Sequence, residues 1–184
     1  MIYGILAIIA LVVFYSIGIY NRLVSHRNLV EEGWSGIDVQ LKRRYDLIPN
    51  LVETVKGYAS HEKEVFEQVA ALRSRSAETT DIAAKAQIEG QLSMALGRLF
   101  AVAEAYPELK ANQNFLNLQQ ELSQIEEQIQ LARRYYNGAT RDFNILVQSF
   151  PSNLVANAFH FTTRAYFEVE NAAERVVPTV SFGQ

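Results

Sequence analysis

Between Phe115 and Phe150, apolar residues recur at alternating intervals of three and four without a miss: Phe115, Leu118, Leu122, Ile125, Ile129, Ala132, Tyr136, Ala139, Phe143, Leu146 and Phe150. That spacing keeps one face of an α-helix apolar along its whole length, whereas a half-buried strand would alternate every second residue. At 1.5 Å per residue such a helix is about 54 Å long. Gln, Glu, Asn and Arg fill the positions between, so the opposite face is solvated. In a chain of 184 residues, a helix of this length buries its stripe only against other long helices. The fold class this dictates is all-α, an antiparallel bundle of coiled-coil-like helices. Pro151, followed by Ser152 and Asn153, ends the run.

The same spacing holds upstream at Leu92, Ala95, Leu99, Val102, Tyr106 and Leu109. Pro107, with Asn112 and Asn114, marks the reversal into the long helix, unless Pro107 sits in a bent last turn. Val65, Val69 and Leu72 run out of phase with this register. The polar stretch "SRSAETTD" (74–81) takes up the mismatch, either by breaking the helix or by shifting its register. Asp81 is placed to cap a restarted helix. Nine glycines and four prolines are too few for a turn-rich all-β domain.

A third stripe runs through Val30, Trp34, Ile37, Leu41, Arg44, Ile48, Leu51, Val55 and Tyr58. Trp34 is therefore first a packing residue, with an exposed recognition aromatic as the alternative. Asp38 and Lys42 form an i,i+4 pair in the favourable order, and Asp46 follows Arg43 by three residues. Lys42, Arg43 and Arg44 read as a solvated face with local ion pairs, or as a contact for acidic lipid or an acidic partner. Arg44 departs from the first reading because it occupies the seam. A buried arginine requires a carboxylate from a facing helix, and polar seam residues of this kind set register. Pro49 removes a helix hydrogen bond, yet the stripe passes through it in phase, which favours one kinked helix; Asp46 is a possible cap if the helix restarts. The candidate interaction or register-setting residues are Arg27, Trp34, Asp38, Lys42, Arg43, Arg44, Pro49 and Asn50.

Ile2 to Tyr20 carries no charge. As a helix it measures about 28 Å, close to the hydrocarbon thickness of a bilayer, with Tyr3, Tyr15 and Tyr20 at or near its ends. A cleavable signal peptide is the alternative, but no Lys or Arg precedes the run and it exceeds a usual apolar core. The expected division is a transmembrane anchor over 1–20, a long-helix bundle over 21–150, and a tail over 151–184. That tail reads as extended or as short elements packed on the helices, loose after Pro178. Arg22 and Arg27 close behind the span, and Lys42 to Arg44 further on, place the body in the cytoplasm.

The chemistry of a catalytic centre is hard to find. Net charge is −3 and there are no cysteines, which argues against nucleic acid as a partner and excludes disulfides and thiolate chemistry. His61-Glu62 begins a zincin motif, but Val65 stands where the second histidine belongs. "RRYYNGATR" (133–141) pairs bases with tyrosines as nucleic-acid or lipid surfaces do, although Tyr136 and Ala139 are seam positions. The expectation is a protein without enzymatic activity, metal or cofactor, whose partners are the lipid bilayer, further copies of itself and another, unidentified protein.

"YNRLVSHRNLVEEGWSGIDVQLKRRYDLIPNLVETVKGYASHE", "YPELKANQNFLNLQQELSQIEEQI", "ARRYYNGATRDFN" and "FPSNLVA" together resemble the LemA family, from about Tyr20 to Phe167. The resemblance implies a bacterial-type protein of the inner (plasma) membrane with one N-terminal span and a body of long antiparallel helices. It also implies kinship with proteins of membrane biogenesis, magnetosome formation among them, in a family with no established enzymatic activity. Gly33 and Gly36 beside Trp34 depart from what a helix favours, and suggest close approach of a neighbouring chain. The function expected is a helical scaffold or self-assembling module at the membrane. The alternatives are a lipid-interacting membrane-remodelling factor and an accessory subunit of a membrane protease or other membrane complex.

Overall fold

The computed structural model describes residues 1–168 and is all-α over them, with no strand among the described residues. Six helices follow in order: α1 (Ile2–Lys56), α2 (Lys63–Glu78), α3 (Ile82–Glu104), α4 (Pro107–Lys110), α5 (Gln113–Gln148) and α6 (Ser152–Ala158). The chain forms two compact units. One comprises Met1–Asp46 and Gln120–Tyr166, the other Leu47–Gln119 together with residues 167–168 of those described.

α1 is a single helix. Its apolar beginning is long and apolar enough to cross a membrane, and none of its most apolar 18-residue window is buried. Further along, Leu23, Val30, Ile37, Leu41, Arg44, Ile48, Leu51 and Val55 are buried, Trp34 is half-buried, and Tyr58 lies exposed beyond the helix end. Pro49 sits inside the helix on its exposed side. The stripe stays in phase on both sides of the proline, so the helix does not restart and Asp46 caps nothing.

In the first unit, α5 runs antiparallel to α1. Arg44 pairs with Glu126, Trp34 lies against Tyr136, and Tyr20 meets Phe159 and Phe161 beyond the end of α5. The α5 stripe buries Leu122, Ile125, Ile129, Tyr136 and Phe143, but then leaves the expected positions: Thr140, Asn144 and Val147 are buried, Ala139 and Leu146 only partly, and Phe150 is 79% exposed. The cause is geometric. A strict 3-4 repeat drifts by about 20° per heptad against a straight helix, so over this length the buried face migrates around α5. The helix ends at Gln148, and α6 reverses the chain after the cis Phe150–Pro151 peptide.

In the second unit, α2 and α3 form an antiparallel hairpin. The stretch "SRSAETTD" does break the helix: α2 ends at Glu78, and Asp81 caps α3 by accepting from the backbone N–H of Ala84 at 2.8 Å. Pro107 opens the one-turn α4, which packs on α3 with Leu109 buried. The Asn112 side chain then accepts from the N–H groups of Asn114 and Phe115, satisfying donors that the first turn of α5 leaves open. After α6 the residues to Glu168 are non-helical, with Phe161 and Phe167 buried. The expected loose end after Pro178 falls outside the described residues.

Candidate interaction surfaces

The α1–α5 seam carries the most constrained polar group. Arg44 is 1% exposed, and its Nη1 donates to Glu126 Oε2 at 2.7 Å. Glu126 is 38% exposed, so the pair links a buried guanidinium to a carboxylate still in touch with water. Burying a charge is tolerable only with such a partner, and the pair joins α1 to α5 across the seam. Nearer the apolar end of α1, Gly33 lets the two backbones approach. A Cβ there would stand 3.0 Å from Tyr136 Cα and 3.1 Å from Tyr135 Cδ1, whereas nothing lies within 4 Å of the corresponding place on Gly36. The close approach suggested by the two glycines is thus made by α5 of the same chain, at Gly33 alone. Trp34 sits beside it, its ring edge-on to Tyr136 at 5.7 Å.

The segment after α6 is held on α5 by side-chain amide and phenol groups. Asn144 donates to the Arg164 carbonyl at 2.9 Å and accepts from the Arg164 N–H at 2.8 Å, and the Tyr136 hydroxyl donates to the Ala165 carbonyl at 2.8 Å. These bonds satisfy backbone groups that no strand or helix serves. Burial raises the Tyr136 pKa above the ordinary phenol value, while the Thr140 hydroxyl and the positive charge of Arg164 pull it down. Arg27 lies over the Phe161 ring at 5.6 Å, and Arg164 reaches Glu31 at 4.0 Å.

At the α5–α6 corner the surface is apolar. Tyr20 packs on Phe159 at 4.8 Å and Phe161 at 5.8 Å, while Phe150, Leu154 and Phe159 are 79%, 61% and 59% exposed. In the second unit, a groove of about 330 Å³ runs between α2 and α3, with Leu72 and Ala95 buried and Met94, Arg75 and Arg98 exposed. Arg98 donates to Gln68 across it. The hairpin also buries polar groups. Lys85 and Glu89 lie one turn apart on α3, and Ser76 of α2 donates to Glu89.

The residues singled out from the sequence do not converge on one site. Arg27, Trp34 and Arg44 meet Phe161, Tyr136 and Glu126. Asp38, Lys42 and Arg43 are exposed, and Arg43 bonds Gln40 one turn back at 3.2 Å. Pro49 and Asn50 are exposed in the other unit, and the Asn50 carbonyl accepts from the Thr54 hydroxyl. Lys42 and Arg43 lie roughly 33 Å along α1 from Tyr20, well beyond a Debye length from any surface at that residue. Glu126, Asn144 and the exposed corner are not singled out by the sequence, which places Tyr136 on the seam but does not show its bond to Ala165. Glu126 adjoins the stripe at Ile125, and the corner falls in a charge-free stretch, but nothing local marks Asn144. Among the described residues, no group of three or more His, Asp or Glu side chains is gathered to hold a metal.

Residues 33–182 match the LemA family. The chain is 27% identical to Protein LemA of Metamycoplasma hominis, over 89% of this chain and 74% of that protein. It is 26% identical to Magnetosome protein MamQ 2 of Paramagnetospirillum magneticum and 23% identical to Magnetosome protein MamQ of Magnetospirillum gryphiswaldense, in each case over 87% of this chain and 68% of the relative.

Proposed function

We propose, given that this chain belongs to the LemA family, that it is a non-enzymatic, single-span membrane protein whose helical body acts as a scaffold, associating with further copies of itself or holding partners at the membrane. The observation that carries this reading is α1. Its charge-free beginning holds no buried residue, and the same helix continues without a break into the stripe that α5 packs on. An apolar helix of that length, met by protein only at its Tyr20 end, is suited to lipid. Arg22 and Arg27 directly after it favour the cytoplasmic face of a bacterial inner membrane. The groove between α2 and α3, with Met94 and two arginines at its surface, suits an amphipathic acidic helix.

Two measurements on the full chain test this. Membranes washed with alkaline carbonate retain the protein; release into the supernatant refutes the anchor. A fluorophore on Ser60→Cys, an exposed position in a chain without cysteine, loses anisotropy as vesicle loading rises and regains it on dilution with unlabelled protein. Anisotropy independent of loading refutes self-association.

The second reading is a lipid-interacting membrane-remodelling factor. The observation favouring it is the exposed apolar corner at the end of α5, beside Tyr20.

A further inference from the structure

We infer that the α5–α6 corner, through Phe150, Leu154 and Phe159, inserts into the headgroup–acyl boundary of the same bilayer that α1 spans, so that the body has a second membrane contact. This rests on the anchored reading of α1. Four observations converge on it. Tyr20 is the last apolar residue before Arg22, and its ring touches Phe159 at 4.8 Å, which sets the corner at the level where α1 leaves the hydrocarbon. The corner faces that way because α5 runs antiparallel to α1 and ends there. Beyond residue 20, the three most exposed large apolar side chains among the described residues are Phe150, Leu154 and Phe159. Finally, residues 143–163 contain no Asp, Glu, Lys or Arg, in a chain that is 20% charged overall.

The chemistry matches an interfacial occupant. Aromatic rings favour the headgroup zone, and surface-lying segments bury their apolar side chains about 5–10 Å into the boundary. Arg22 is exposed at the same level, and a cation there complements anionic headgroups. A patch this apolar on a water-facing surface marks an interaction site, and the bilayer is continuous with the segment of α1 that it adjoins.

The test uses the full chain, which has no cysteine, reconstituted in phosphatidylcholine–phosphatidylglycerol vesicles. Phe150→Cys, Leu154→Cys and Phe159→Cys are each labelled with an environment-sensitive fluorophore and quenched by lipids carrying a spin label at shallow or deep positions. Ile9→Cys, in the span, and Val39→Cys, exposed on the body at 54%, are the references. The expected result is deep-label quenching at position 9, only collisional background from either label at position 39, and shallow-label quenching at the corner roughly threefold above that background, as for an interfacial segment. Quenching at position 9 with the corner behaving like position 39 overturns the inference and leaves the anchor intact. Absence of quenching at position 9 overturns the anchored reading and the inference with it. Blue-shifted, unquenched emission at the corner that depends on protein density also overturns it, and assigns the patch to a second copy of the chain.

Discussion

Two glycines three residues apart on α1 are expected to respond in opposite ways to the same substitution. Ala relieves a helical glycine of about 1 kcal/mol of backbone cost, and at Gly36 nothing opposes that gain, since no atom lies within 4 Å of the added methyl. Gly36→Ala therefore stabilises by about 1 kcal/mol, or about 2–4 °C in Tm for a chain of this size. At Gly33 the methyl meets Tyr136 Cα at 3.0 Å, Tyr135 Cδ1 at 3.1 Å and Tyr136 Cβ at 3.3 Å. The nearest of these is main chain of α5 and cannot swing aside, so the seam must open by a few tenths of an ångström. Overpacking of this kind costs about 1–3 kcal/mol, which leaves Gly33→Ala at best neutral and at worst about 2 kcal/mol destabilised. Because the propensity gain is common to both, the difference between the variants isolates the packing term, about 2–12 °C. Thermal unfolding of the full chain in detergent, followed by far-ultraviolet circular dichroism, measures it. The single tryptophan adds a local reporter: Trp34 emission shifts in Gly33→Ala and stays put in Gly36→Ala. Equal melting temperatures with unchanged Trp34 emission would refute close packing of α5 at Gly33.

Three further outcomes follow from the packing. Glu126→Gln lowers stability by about 1–3 kcal/mol, less than for a fully buried pair because Glu126 is 38% exposed; in an Arg44→Met background the same change costs under about 0.5 kcal/mol, and a double-mutant cycle with no coupling refutes the pair. Asp81→Ala removes the cap of α3 and costs about 1 kcal/mol in chemical denaturation, while Asp81→Ser restores most of it; equal loss in both refutes a capping role. Tyr136 has a folded-state pKa raised by burial, so its contribution is fully present below the unfolded phenol value near pH 10 and is lost as pH rises through the folded value. Tyr136→Phe should cost about 1 kcal/mol at neutral pH, for the lost bond to Ala165, and should flatten the alkaline decline in Tm; an unchanged decline refutes the assignment.

The long helices were legible because their signal is periodic and local. Leu92, Leu99, Leu122, Ile125 and Ile129 are buried where the 3-4 spacing puts them, and Asp81 is recognisable because a cap concerns only the residues next to it. The type of partner Arg44 needed was legible as well. Its identity was not, since α5 also offers Glu121 and Glu127, and choosing among them requires the register of two segments 82 residues apart. Phe150 falls on the stripe by spacing yet lies exposed, because a 3.5-residue period and a 3.6-residue helix agree over one or two turns and diverge over ten. The charge-free stretch from 143 to 163 is plain in the sequence. Which of its side chains turn outward depends on where α6 reverses the chain and on the clasp of Asn144 around Arg164.

On the anchored reading, the unbroken passage of α1 through Tyr20 makes the span a lever arm. A flexible tether would let the body ignore what the lipid does to the anchor; a continuous helix cannot. When a thicker or thinner bilayer changes the tilt of the span to relieve hydrophobic mismatch, the α1–α5 pair leans with it. Arg44 stands roughly 36 Å along the axis from Tyr20, so a lean of about 10° carries it sideways by roughly 6 Å. Lipid thickness is thereby translated into the posture of the surfaces the body presents.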